Sequence, residues 1–540
     1  MAPGFSAFGF LHRDIRGKRI SARWPALAAI FLFCSGSVFA AALPFDGPPV
    51  SPAAHPIDQC VFQRLRELGI EPARLCSDEV FVRRVFLDTI GTLPTADEAR
   101  AFLASKSPAK RSELIDRLLQ RDEFADYWAM KWSDLLRVKA EYPINLWPNA
   151  AQEYHRWIRA SLQENKPYDR FVRELLTSSG SNFRVGPVNF YRAVQSRDAQ
   201  TIARTVALTF MGARMEKWPA DQQAGLAAFF AQIGYKHTDE WKEEIVFFDP
   251  SMAPPPGPPA AKFPDGTTAT LSPDRDPREI FADWLVDPKN PWFTRAIANR
   301  IWAWLLGRGI IDAPDDIRPD NPPSNPELID YLQRELVAAH FDLKHLFRII
   351  LESQTYQLSC VPRSDKPGAA ANFAFYPVRR LEAEVLIDAL DQITGGTEQY
   401  TSAIPEPFTY IPENVRSIAL PDGSITSSFL EMFGRPPRDT GLESERNNHP
   451  TAGQRLYLLN SSQIQRKLAQ GPKLQALLRA GHGRPREIVD ALYLAILSRY
   501  PTDDERAVIA AYAQSGGAPR QTAIDLAWAL INSAEFLHRH

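Results

Sequence analysis

The sequence contains four cysteines among 540 residues, and none of them is spaced as CxxC, CxxCH or a cysteine–histidine zinc motif. This spacing excludes the common structural zinc sites and the motif for covalent haem attachment. No apolar run beyond residue 42 approaches the roughly eighteen residues that a membrane-spanning helix needs. The formal net charge of −2 argues against a generally cationic surface that would coat nucleic acid.

The composition is that of a folded, multidomain protein. Hydrophobic residues make up 44% and charged residues 23% of the chain, which is typical of globular proteins. At 540 residues the chain exceeds one ordinary core, so two or three domains are expected. The 45 prolines are clustered and indicate long irregular connections.

The N-terminus has the features of a targeting segment. Five basic residues precede the apolar run "ALAAIFLFCSGSVFA" and the small residues Ala40, Ala41 and Ala42. These features predict a signal peptide over residues 1–40, a flexible segment over 41–56, and a mature protein in the periplasm, cell envelope or outside the cell. An uncleaved membrane anchor is the alternative. Phe33 before Cys34 is too bulky for a lipoprotein cleavage site.

Two of the remaining cysteines start helical patterns that a short turn connects. Cys60 opens "CVFQRLRELGI", and Cys76 precedes "DEVFVRRVFLDTI". In an oxidising compartment a Cys60–Cys76 disulfide is one prediction, and two separately buried thiols are the other.

Helical periodicity dominates the rest of the chain and predicts a mainly α protein with minor β structure. The pattern fails between residues 250 and 273, where prolines cluster in "PSMAPPPGPPAAKFP". Two helical lobes, 57–249 and 274–540, are therefore predicted on either side of a proline-rich connection. One helix start is marked by a capping box of Ser324 and Glu327, with Pro326 in the first turn.

Several long strings resemble one large secreted bacterial family of unknown function. "FVRRVFLDTIGTLPTADEARAFL" and "RDEFADYWAMKWSDLLR" are similar to the planctomycete cytochrome-C-type domain two. "NPWFTRAIANRIWAWLLGRGIIDAPDDIRPDNPPSNPELIDYL" and "HFDLKHLFRIILESQTYQLS" resemble its partner, the planctomycete-specific domain one. The resemblance covers nearly the whole chain after the targeting segment. It implies an architecture but no activity.

Two departures from the family distinguish this chain. Where members carry a Cys-Ala-Gln-Cys-His loop, the chain passes from Met215 directly to Glu216. Where members carry a Cys-x-Cys element, Leu442 and Ser444 occupy the cysteine positions. A c-type haem needs two thiols and a histidine. The resemblance therefore implies a member without covalent haem, and no cofactor is predicted. Met211, Met215 and His237 are the nearby groups for non-covalent ligation.

Charged residues concentrate in two loops. The first, "FGRPPRDTGLESERN", combines carboxylates with guanidiniums that could perform acid–base chemistry or bind an anion, although the pattern favours a structural ion-pair network. Its candidate residues are Arg435, Arg438, Glu443, Glu445 and Arg446. The second, "DAPDDIRPDNPPSN", has oxygen ligands for calcium but lacks EF-hand spacing, and turn formation explains it better. Its acidic residues are Asp312, Asp315, Asp316 and Asp320.

An aromatic-rich helix follows the connection. Trp292, Phe293, Trp302 and Trp304 are expected to pack in the core, with a carbohydrate-stacking platform as the alternative.

Two classes of function fit the sequence. The first is an exported binding or scaffold protein whose partner is another exported protein or a polysaccharide, without nucleic-acid binding. The second is a secreted hydrolase that acts on a sugar or anionic polymer with the Arg435–Arg446 loop as its site. The chain has no nucleophile signature, metal-ligand spacing or phosphate loop, and this favours the first class.

Overall fold

A computed structural model describes residues 45–252, 261–481 and 484–540. The predicted signal peptide and the central part of the proline-rich connection, 253–260, lie outside the described residues. The helices up to the connection are α1 Pro56–Leu68, α2 Asp78–Ile90, α3 Ala96–Ala104, α4 Lys110–Leu119, α5 Asp122–Leu135, α6 Pro148–Gln163, α7 Tyr168–Thr177, α8 Ala199–Met211 and α9 Ala220–Ala227.

The helices after the connection form a longer series. They are α10 Pro277–Leu285, α11 Pro291–Leu306, α12 Pro326–Ala338, α13 Leu343–Glu352, α14 Ala383–Thr394, α15 Ser428–Met432, α16 Ala452–Asn460, α17 Ser462–Gln470, α18 Pro472–Ala480, α19 Pro485–Leu497, α20 Asp503–Gln514, α21 Pro519–Ile531 and α22 Ala534–Leu537. The mainly helical class is confirmed.

The β structure consists of two small antiparallel sheets. The strands are β1 Gly180–Ser181, β2 Ile233–His237, β3 Glu244–Phe248, β4 Arg379–Arg380 and β5 His538–Arg539. The first sheet has the order β1–β3–β2, with Tyr235 opposite Val246, and the second pairs β4 with β5. The predicted minor β content is therefore present.

The start of α12 differs from the prediction by one position. Pro326 is the first helical residue, as expected, but the cap is Asn325 rather than Ser324. The Asn325 Oδ1 accepts a hydrogen bond from the backbone N–H of Leu328 at 3.0 Å, and its Nδ2 donates to the Cys60 carbonyl at 3.0 Å. Asn325 therefore caps α12 and fixes it to α1 at once, which a capping-box pattern does not anticipate.

The two predicted lobes contact each other through hydrogen bonds between residues far apart in the sequence. The described residues belong to one compact unit, Pro44–His540. Arg83 of α2 donates to the carbonyls of Ile496 and Phe536 at 2.8 Å each, so an early helix is bonded to the last helices of the chain. Arg84 donates to the His540 carbonyl at 2.8 Å. The halves share a core because each buries apolar helix faces against the other.

The connection also contributes to this core. Phe263, inside the predicted linker, stacks between Phe229 and Trp284, with ring centroids 4.8 Å and 5.0 Å away. The Lys262 N–H donates to the Gly225 carbonyl at 3.1 Å. The part of the connection after residue 260 is thus packed structure rather than a spacer.

The described part of the predicted flexible segment is held by backbone hydrogen bonds. The Gly47 N–H donates to the Leu75 carbonyl at 2.7 Å, and the Ser77 N–H donates to the Phe45 carbonyl at 3.0 Å. The loop before α2 thus satisfies backbone groups of residues 45–48, while the flexibility expected over 41–56 stays a prediction.

The described helices vary in length up to sixteen residues. Across these parts of the chain, no helix combines the length and apolarity that crossing a bilayer requires.

Candidate functional site

A groove of about 800 Å³ lies where three segments that are distant in sequence meet. Residues 213–222 form one wall, residues 291–295 form another, and residues 311–323 complete it. Two tryptophans, Trp218 and Trp292, line the groove, and both are only partly buried. We call it the Trp218–Trp292 groove.

The first wall follows a helix end that its sequence dictates. Gly212 ends α8 in the left-handed conformation, with φ of 60°. A β-carbon at this position would lie 2.7 Å from the Pro314 carbonyl oxygen, so the close approach of the 311–323 segment needs glycine. The chain then turns through a short 3-10 helix, Met215–Lys217, whose Met215 side chain is buried.

This turn orients Trp218. Its N–H donates to the Met215 carbonyl at 2.9 Å, and its own carbonyl accepts from Gln223 Nε2 at 2.8 Å. Glu216-Lys217-Trp218 is the join that the family resemblance predicts where members carry a cysteine-bearing loop. In the structure this join borders the groove.

The second wall is the first turn of α11. The Asn290 Oδ1 accepts from the N–H groups of Trp292 and Phe293 at 3.0 and 3.4 Å and so caps the helix. The Trp292 ring lies 5.8 Å from the Trp284 ring, which supports the indole from behind. Phe293, Trp302 and Trp304 are buried in the core, as predicted for this helix, whereas Trp292 is not.

The third segment is a proline-rich turn held by its own polar groups. Asn321 Nδ2 donates to the carbonyls of Asp312 and Asp316, at 2.9 Å each. The Ile317 N–H donates to the Gly212 carbonyl at 2.8 Å, which fixes this turn against the end of α8. The groove is therefore built by ordered backbone on this side.

The charged groups of the groove differ in how well they are paired. Asp316 contacts Lys217 at 3.1 Å and Arg318 at 3.2 Å, and Arg318 also contacts Asp320 at 2.6 Å. Burial raises the pKa of Asp316, but the hydrogen bond from Lys217 and the charge of Arg318 outweigh this effect and hold its pKa below the ordinary value. These four groups form a partly exposed ion-pair chain along one edge.

The predicted Arg435–Arg446 site is a buried ion-pair network. Arg446 donates to Glu384 Oε2 at 2.7 Å and to Asp134 Oδ2 at 2.6 Å, and Arg438 donates to Asp134 Oδ1 at 2.8 Å. Burial alone would raise the pKa of Asp134 and Glu384, yet Arg446 keeps the pKa of both carboxyls below their ordinary values. Arg435 lies 3.6 Å from Glu384. The guanidinium groups of Arg438 and Arg446 thus donate hydrogen bonds to carboxylates of the protein itself.

The two glutamates of the same loop organise its backbone. The Glu443 carboxylate accepts from Trp304 Nε1 at 3.0 Å, and Glu445 Oε1 accepts from the N–H groups of Asp439 and Thr440 at 3.1 and 2.9 Å. Both carboxylates therefore have structural partners.

The acidic residues proposed for calcium bind separate partners. Asp312 pairs with Arg308 at 3.2 Å, and Asp315 pairs with Arg300 at 2.9 Å. Asp316 and Asp320 belong to the groove. In the ranges that the structure describes, no three histidine, cysteine, aspartate or glutamate side chains are arranged to hold a metal ion. The arrangement gives the calcium hypothesis no support.

Cys60 and Cys76 are both free thiols in the structure, and their pairing in a disulfide stays a prediction that a thiol count can test. Cys60 lies half-buried on α1, where burial raises the pKa of its thiol and neighbouring Glu327 raises it further. Cys76 is fully buried and its backbone pairs with Asp46 in an isolated bridge. The two thiols therefore occupy different environments.

The groups near the join do not fit a haem. Met211 and Met215 are fully buried among core side chains. The His237 side chain lies on β2, is 83% exposed, and contacts Glu244 at 3.5 Å. The thiols for covalent attachment are also missing, since the sequence has no CxxCH.

The sequence does not predict most of the groove. It predicts an ordinary connection at Trp218 and no site at Arg214, Arg295 and Arg318. No local pattern marks them, because the groove needs three segments brought together by the fold.

Comparison with protein-family models gives two matches. Residues 56–233 match PSCyt2, described as a protein of unknown function (DUF1549), and residues 277–513 match PSD1, described as a protein of unknown function (DUF1553). The two matches fall on the halves that the sequence resemblance predicts. No curated protein and no solved structure matches the chain.

Proposed function

We propose that this chain, which belongs to the family that pairs PSCyt2 with PSD1, is a binding protein whose ligand is an exported polysaccharide. The function of both family domains is unknown, so the proposal rests on the groove. The ligand would enter the Trp218–Trp292 groove. The targeting signals of the sequence fit a ligand outside the cytoplasm.

The observation that carries this proposal is the pairing of two indole rings in one groove. Trp218 and Trp292 line the same cavity, and polar side chains such as Gln222 and Asn321 lie beside them. Indole faces provide a rigid apolar surface for the C–H face of a sugar ring, while amides and charged groups bind its hydroxyls. A groove of about 800 Å³ has room for several sugar units.

Hydrolysis at the Arg435–Arg446 loop is the weaker candidate. Its guanidiniums are bound to Asp134 and Glu384, and Glu445 is bound to backbone N–H groups. A substrate would have to displace these buried partners, which costs several kcal/mol for each ion pair that is broken. The free groove needs no such rearrangement.

The test is a comparison of tryptophan variants. W218A and W292A should each weaken polysaccharide binding about tenfold or more, which corresponds to ~1.4 kcal/mol. W241A is the matched control, because Trp241 is 70% exposed and does not line the groove. Affinity electrophoresis in gels containing soluble polysaccharides measures the effect.

The proposal would be wrong if the wild-type protein migrated unchanged in every polysaccharide gel. Equal losses of binding in W241A and W218A would also contradict it, since they would place the contact outside the groove. Thermal unfolding of each variant separates loss of the fold from loss of the ring.

A further inference from the structure

The Trp218–Trp292 groove carries an excess of positive charge. Its lining includes four cationic side chains and two carboxylates. The cations are Arg214, Lys217, Arg295 and Arg318, and the carboxylates are Asp316 and Asp320. The whole chain has a formal net charge of −2, so this excess is a local property of the groove.

The excess resides on two particular guanidiniums. Lys217 and Arg318 are paired with the groove's own carboxylates. Arg214 instead donates from Nε to the backbone carbonyl of Asp315, at 3.4 Å. Among the described residues no carboxylate lies within 4.0 Å of the Arg214 guanidinium, so Arg214 acts on Asp316 only from a longer distance.

Arg295 is even less satisfied. Its nearest carboxylate is Asp330, which is half-exposed and 3.9 Å away. Its Nε is buried and has no hydrogen-bond partner among the described residues. The charge of Arg295 is therefore only weakly neutralised, because this distant and half-exposed carboxylate is the one that lies within 4.0 Å of it among the described residues.

From these contacts we infer that the groove selects acidic saccharides, with Arg214 and Arg295 binding the ligand's carboxylate or sulfate while a sugar ring stacks on tryptophan. This inference rests on the proposed function of the groove and narrows its ligand class. Planar guanidiniums bind carboxylate and sulfate oxygens through paired N–H donors, which an ammonium cannot match.

The preference for acidic saccharides can be measured with pairs of polymers that share a backbone, of which one member carries acidic groups and the other is neutral. Polygalacturonate and its fully methyl-esterified form share one backbone, and dextran sulfate and dextran form a second pair. The wild-type protein should bind the acidic member of a pair at least tenfold more tightly than the neutral member. The two pairs tell a carboxylate-binding site from a sulfate-binding site. Added NaCl should weaken only acidic binding.

Arginine variants locate the preference. R214Q and R295Q should each reduce binding of the acidic polymer about tenfold and reduce binding of the neutral polymer by less, so that the preference for the acidic polymer shrinks. R184Q is the control, because the Arg184 side chain is 73% exposed and lies outside the groove. R295K retains the charge without the planar fork and should recover only part of the affinity.

The outcomes separate this inference from the proposed function. Tryptophan-dependent binding that is equal for acidic and neutral polymers, or R295Q binding equal to that of R184Q, would overturn the charge preference and leave the groove as a neutral sugar site. Failure of every polymer to bind would overturn both proposals.

Discussion

The backbone N–H of Glu443 donates a hydrogen bond to Oδ2 of Asp315 at 2.6 Å, across 128 residues of sequence. The other oxygen of Asp315 faces Arg300 at 2.9 Å. The acidic turn and the arginine-rich loop, which read as two separate candidate sites in the sequence, are thus two sides of one buried contact. Asp315 is therefore a structural residue that fixes the turn behind the groove.

Replacing Asp315 with asparagine should destabilise the protein by ~3–5 kcal/mol, because buried Arg300 would keep only the partly exposed carboxylate of Glu443, 4.0 Å away, as a countercharge. Asp312 provides the matched control in the same turn. Its side chain is 44% exposed in its ion pair with Arg308, so D312N should change stability by less than ~1 kcal/mol. Urea unfolding at pH 7 measures both. Similar costs for the two variants would contradict the structural role of Asp315.

His155 should make stability depend on pH. Burial, together with the nearby positive charge of Arg438, lowers the pKa of His155 to about 3. The folded pKa lies below the unfolded value of about 6.5. The contribution of neutral, buried His155 to the free energy of unfolding is therefore complete above pH 6.5. It is lost as the pH falls toward 3, at up to ~1.4 kcal/mol per pH unit.

The variant H155Q should reduce the pH dependence of the free energy of unfolding by about one proton between pH 6.5 and 5. This window lies above the range where most carboxylates titrate. H237Q is the control, since the His237 side chain is 83% exposed. A residual slope is expected from His540, whose pKa burial also lowers to about 3. An H155Q slope identical to that of the wild type would show that His155 takes up its proton in the folded state.

The free cysteines predict a thiol count. In a C34S protein, Cys60, Cys76 and Cys360 should all react with a thiol reagent in denaturant without any reductant. In native buffer Cys76 should remain unreactive, because it is fully buried. A count of one thiol in denaturant would mean that two of the three are joined, and mass spectrometry of unreduced peptides would identify the pair.

The sequence also predicts that haem cannot be attached covalently. It contains no CxxCH, so a c-type maturation system has no substrate in this chain. Protein co-expressed with that system should show no Soret absorption and no added mass. A variant with the five-residue loop Cys-Ala-Gln-Cys-His inserted between Met215 and Glu216 is the matched comparison. A haem-stained band from the unmodified chain after denaturing electrophoresis would contradict the prediction.

Local pattern was enough to predict the helices but not their long-range partners. Pro326 marks the start of α12 correctly because it acts within one turn, whereas the cap Asn325 also binds α1. The ionic character of the Arg435–Arg446 loop follows from composition. Its partners Asp134 and Glu384 do not, because they lie far away in the sequence and only the fold brings them to Arg446.

The groove escaped prediction for the same reason. Trp292 belongs to a helix whose other aromatics are buried, and only the position of the 311–323 segment leaves its ring accessible. No periodicity in the sequence distinguishes Trp292 from Trp302.

The hydrogen bonds of α2 determine how late in synthesis this helix can reach its final packing. Arg83 and Arg84 are almost completely buried, and their partners include carbonyls as many as 456 residues later. At about 5–20 residues per second, a ribosome needs roughly 20–90 s to supply those partners after α2 has emerged. Throughout that interval the guanidiniums of Arg83 and Arg84 lack these acceptors. Helix α2 is therefore synthesised early but is among the last helices to reach its final environment. Until then, the apolar surfaces of the nascent chain must be shielded by other contacts.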